Sequence, residues 1–190
     1  MRYQNSSLDL SSNEVSYEEF KICYQHGCRQ IQSVSLTGNE WKKLTSDWEL
    51  NNLSAAHERI QIAEYVAQFE IIVGRMTDTQ FDVGGSYASL FGLERSKSNQ
   101  MDCIDESSNT YTYLRILESE NMLKWHTIEG YISRVGFSAG YPHTAVLIKE
   151  KESDEEFVVD SWFYDNGRPP VIVKKNHWKL GWKPQKINSD

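Results

Sequence analysis

A chain of 190 residues with 39% hydrophobic residues is long enough to bury one core, and its six Trp, ten Tyr and seven Phe exclude wholesale disorder. Twenty basic against 27 acidic residues leave a net charge of −7 and a pI near 5.3. That balance excludes a nucleic-acid binder or a membrane-surface protein working through general attraction to phosphate.

No stretch approaches the ~20 apolar residues that cross a bilayer, and the opening MRYQNSSLDLSSNE lacks the apolar core of a secretory signal. Residues 1–14 read as a loose arm. Residues 15–100 read as a mainly helical half, and residues 101–190 as a cysteine-bearing helix followed by a sheet. Within the first half, Ile31 to Thr37 alternates apolar and polar and predicts a strand. Asn39 is placed to cap a short helix carrying Trp41, Leu44 and Trp48. A longer helix starts at Ser54, carries Ile62, Val66, Phe69 and Val73 on one face, and ends at Gly74. Residues 76–100, rich in Gly, Ser, Thr and Asn, form a long connection of the kind that carries sites.

Asp102, with Asp105 three residues on, marks a second helix start, and Tyr111, Leu114 and Leu117 give that helix a buried face to about Asn121. Trp125 to Phe137 reads as a strand or bent strand. His143 to Ile148 and Phe157 to Trp162 read as a hairpin around the polar turn KEKESDEE. Pro169-Pro170 follows a turn at Asp165-Asn166-Gly167, before VIV and the landmarks Trp178, Trp182 and Pro184. Helices followed by an antiparallel sheet in one domain predict the α+β class.

Three residues in this second half carry chemistry. Cys103 falls in the first helical turn, where unpaired N–H groups favour a thiolate, although Asp102, Asp105 and Glu106 oppose that charge. If His143 sits directly across from Asp160, Lys149 faces Asp154, and the carboxylate fixes one imidazole nitrogen while the other stays free for a thiol.

The order Cys, Leu-x-Arg, strand-leading His, strand-borne Asp resembles the transglutaminase-like branch of the papain-like cysteine-peptidase superfamily. The matching pieces are DCIDESSNTYTYLRILES (102–119), PHTAVLI (142–148) and FVVDSWF (157–163). The DC-x-D opening is similar to bacterial transglutaminase-like cysteine proteases, and the DCIDE, TYLR and DSWF blocks to a further group of bacterial proteins. The resemblance covers residues 100–165 and implies a papain-like core, a cysteine helix packed on an antiparallel sheet. It makes Cys103 the nucleophile, His143 the general base and acid, and Asp160 the orienting carboxylate. Gln100 is the nearest upstream amide to serve an oxyanion hole, and Trp125 and Trp162 are candidates to line the cleft. Many members carry Ala-Trp after the histidine, where this chain has Thr144-Ala145.

The implied activity is hydrolysis of an amide or peptide bond through a thioester, with no cofactor and a peptide or protein as substrate. Acyl or amine transfer, as in arylamine N-acetyltransferases, is the enzymatic alternative. A non-catalytic relative that keeps the cleft to bind a partner is the other. Three cysteines at irregular spacing make no disulfide framework, so a cytoplasmic location is expected. Cys23, His26 and Cys28 lack the second ligand pair of a structural zinc site, so a turn with buried thiols is preferred. Asp102, Asp105 and Glu106 lack the EF-hand pattern and read as a charged helix start, so no metal is assigned.

Overall fold

The computed structural model describes residues 15–48, 53–86, 99–135 and 142–185. The arm proposed for residues 1–14 lies outside them. The elements in chain order are β1 (Phe20–Tyr24), β2 (Gln30–Val34), α1 (Gly38–Thr45), α2 (Ala55–Thr77), α3 (Cys103–Ser119), β3 (His126–Arg134), β4 (His143–Glu150), β5 (Glu156–Asp160), β6 (Val171–Lys174) and α4 (Lys175–Lys179). Strands β1 and β2 form an antiparallel hairpin, and β3-β4-β5-β6 an antiparallel sheet in sequence order. The protein is α+β.

The helix starts follow from side-chain caps. Thr37, rather than Asn39, caps α1 and exchanges hydrogen bonds with Glu40. Ser54 Oγ accepts from His57 N at the start of α2, which runs past Gly74 to a left-handed Asp78. Asp102 caps α3 and completes a capping box with Asp105. The main core joins Ile62, Val66 and Phe69 of α2, Leu114, Ile116 and Leu117 of α3, and Val146, Ile148, Phe157 and Val159 of the sheet. Phe20, Ile22 and Val34 of the hairpin close it from the side. Each such side chain contributes about 1.5–3 kcal/mol by leaving water. Alternate residues of the same strands, Ala145 and Val158, pack on the opposite sheet face with Ile132 and Trp178.

Two expectations change. Residues 15–100 are not mainly helical throughout, because the β1–β2 hairpin opens that half; the predicted strand at 31–37 is its second arm, starting one residue earlier and ending three earlier. The β4–β5 register pairs Val146 with Val159 and Lys149 with Glu156, two residues out of the expected alignment. The longer turn, with Asp154 in the left-handed region at φ 59°, sets that offset. Lys149 still meets Asp154, as an ion pair at 2.6 Å across the turn. An even offset keeps every side chain on its expected face.

Candidate active site

Cys103, His143 and Asp160 come together at the end of the sheet where α3 begins. Cys103 is the first residue of α3 and is 6% exposed. Its Sγ lies 4.0 Å from the Pro142 carbonyl and faces the Thr144 N–H, so the thiol rests against the backbone on both sides of His143. Asp160, the last residue of β5, approaches His143 on the diagonal rather than directly opposite, a spacing long side chains bridge. His143 Nε2 and Asp160 Oδ2 are 2.7 Å apart. His143 Nδ1 is buried and has no hydrogen-bond partner. The imidazole is enclosed by Trp162, Phe163 and Trp178, with ring centroids at 4.7, 5.5 and 5.6 Å. Those rings keep water from the pair.

The acids flanking Cys103 are turned away from it. Asp102 Oδ1 accepts from Ile104 N, Asp105 N and Gly27 N. Asp105 accepts from Asp102 N, His26 N and Cys28 N, at 3.1, 2.7 and 2.6 Å. Gln25, His26, Gly27 and Cys28 all have positive φ, which aims successive N–H groups at these carboxylates. Burial, followed by the Asp102 charge, pushes the Asp105 carboxyl up to about 7.

Helix-end stabilisation of a Cys103 thiolate does not prevail. Burial pushes the thiol up to about 12, with the charges of Asp102 and Asp160 adding to it; the Thr144 N–H and Cys103's own N–H pull the other way but are outweighed. The ground state is a neutral thiol.

The remaining sequence candidates divide. Gln100 Oε1 accepts from Val83 N and its Nε2 donates to Phe81 O, so the amide pins the 81–83 loop. Trp162 packs against His143 with the two rings tilted by 49°, and donates from its indole to Ser86 O at 2.8 Å. Trp125 lies at the other end of β3, roughly 25 Å along the strand, under the Lys124 ammonium, and is not part of this cleft. Its neighbour His126 instead forms a buried pair with Glu58 at 2.8 Å, a structural contact that joins α2 to β3. Cys23 and Cys28, expected as free thiols, are joined in a disulfide. Their sulfurs and the Asp105 carboxylate are the single close group of three His, Cys, Asp or Glu donors among the described residues.

Sequence reasoning missed Trp178, whose indole N–H donates to Asp160 Oδ2 at 2.7 Å. Its only local signal was an aromatic residue near the chain end; the partner is 18 residues away and fixed by tertiary packing. Among the described residues no helix is long and apolar enough to cross a membrane. Comparison with known proteins finds no matching family model, no curated protein of significant similarity and no solved structure of significant likeness.

Proposed function

We propose that this protein is a cysteine-dependent hydrolase of amide or peptide bonds, built on a papain-like core and working from a neutral thiol–imidazole pair. The observation that carries the reading is His143: one ring nitrogen is held by Asp160, the other is buried and bare, and the Cys103 thiol packs on the backbone either side of it.

In this reading the Sγ–H proton passes to His143 Nδ1 as Sγ bonds to the substrate carbonyl carbon. The tetrahedral oxyanion takes a hydrogen bond from Cys103's own N–H, the α3-start donor that Asp102 does not hold, and such a bond is commonly worth a few kcal/mol of barrier. Collapse breaks the C–N bond, and His143 returns the proton to the leaving amine. Water, deprotonated by His143, then cleaves the thioester to a carboxylic acid and the free thiol. Asp160 holds the imidazole and offsets the charge it acquires.

An activated ester such as p-nitrophenyl acetate tests this at pH 7.5. A burst of nitrophenol with an acetyl group mapped to Cys103, absent in His143→Ala, is the expected result. No burst and no acetyl-Cys103 would overturn it. The high thiol pKa favours one second reading, a peptide- or partner-binding relative without catalysis. That reading requires Cys103→Ala to keep its ligand and the wild type to stay unacylated.

A further inference from the structure

Trp178 makes and breaks no bond in the steps above, yet its ring is fully buried beside the His–Asp pair. Trp48 and Trp162 satisfy their indole N–H groups on backbone carbonyls, those of Met122 and Ser86. Trp178 instead donates to a carboxylate, and to the same oxygen, Asp160 Oδ2, that meets His143 Nε2. Asp160 Oδ1 has no hydrogen-bond partner. With His143 as its sole donor, this buried carboxylate would be free to turn. Two donors on one oxygen fix its plane.

The ring is itself held by the strand next to His143. Arg134 lies directly across from His143 in the β3–β4 ladder. Its guanidinium sits 4.5 Å from the Trp178 ring centroid. Its Nη1 donates to the Trp178 and Trp182 carbonyls at 2.5 and 2.9 Å. One rung of the sheet therefore carries both the base and the clamp that brings the C-terminal segment to the base's carboxylate.

We propose that Trp178 is a positioning residue: its indole N–H fixes the Asp160 carboxylate, so that His143 keeps its proton on Nε2 and presents Nδ1 bare to Cys103. The inference about Cys103 rests on the hydrolase reading; the inference about the His143 tautomer stands without it. Trp178→Phe keeps an aromatic ring and removes the donor. Imidazole ¹⁵N spectra of the wild type are expected to show one neutral tautomer, protonated at Nε2. Spectra of folded Trp178→Phe are expected to show both tautomers, and the acylation burst to slow about tenfold, the scale of one hydrogen bond to a charged group.

A folded Trp178→Phe protein with the wild-type tautomer signature overturns the proposal, even if its burst is slower. If that variant does not fold, Arg134→Gln loosens the clamp without changing the ring. Mixed tautomers there support the proposal, and an unchanged spectrum overturns it. A tautomer change in a protein that never acylates at Cys103 supports positioning by Trp178 and removes the hydrolase reading alone.

Discussion

The Ser161 hydroxyl donates to Glu106 Oε2 at 2.7 Å, tying the residue after Asp160 to the first turn of the helix that carries Cys103. Glu106 is almost wholly buried, and burial, followed by the charges of the nearby buried acids Glu70 and Asp82, raises its pKa well above the usual range. Behind the thiol and imidazole is therefore a polar layer whose acids hold their protons to higher pH than ordinary carboxyl groups.

That layer sets the direction of the stability–pH curve. Burial pushes Glu70 up to about 8 and Asp82 up to about 7, whereas in the unfolded chain both return to ordinary carboxyl values near 4. Between these limits the folded protein binds more protons than the unfolded chain, so stability is full below about pH 4 with respect to these groups and falls as pH rises to about 8. Urea unfolding is expected to show a loss of a few kcal/mol from pH 5 to pH 8. A flat or rising curve across that range would mean the acids ionise without cost.

Much of this layout was legible because its signals are local. Ser54 and Asp102 stand where a helix cap belongs, and the apolar runs of β4 and β5 announce buried strands. Asp160 in an apolar strand demanded a partner, and His143 is that partner. The register missed by two because it depends on a turn whose left-handed residue is Asp154, with no glycine to mark it. The Gln25–Cys28 turn was hidden for a similar reason: three of its four left-handed residues are not glycine, and they are held by Asp102 and Asp105 some 75 to 79 positions away. Trp125 was misassigned because adjacency in a strand says nothing about which end of the sheet a residue occupies.

The Cys23–Cys28 disulfide closes the turn that binds Asp102 and Asp105. A loop this short is expected to contribute about 2 kcal/mol by restricting the unfolded chain. Reduction is expected to lower stability by about that amount and to loosen the N–H groups that hold the two acids. With that turn loosened, the Asp102 cap at the start of the Cys103 helix is less fixed, and acylation is expected to be slower in dithiothreitol-treated protein, after the reductant is removed and Cys23 and Cys28 are blocked. Equal burst rates before and after would separate the turn from the site.

Asp160→Asn keeps the side-chain shape but removes the charge that His143 Nε2 and Trp178 Nε1 both meet. Hydrogen bonds to a neutral acceptor are about half as strong as those to a charged one. The folded protein is expected to lose about 1–2 kcal/mol of stability, while the acylation burst falls roughly a hundredfold because the imidazolium loses its counter-charge. Kinetics measured beside a urea titration decide the matter. A burst reduced only in proportion to the unfolded fraction would give Asp160 a structural role and nothing more.

Gly84 sits where two loops of the site touch. A Cβ built there lies 2.4 Å from the Tyr164 carbonyl carbon and 2.6 Å from its Cα and N, all backbone atoms that cannot swing aside. Gly84 N donates to Asp165 Oδ1, Gly85 N donates to Trp162 O, and the Trp162 indole donates to Ser86 O, so this contact holds the ring that covers His143. Gly84→Ala must separate the loops and is expected to cost about 1–3 kcal/mol, the range for overpacked positions. It is also expected to expose Trp162, which reads as a red shift in fluorescence and faster quenching by iodide. If the variant is as stable as the wild type and its fluorescence is unchanged, the loop at 84–86 does not hold Trp162 over the imidazole.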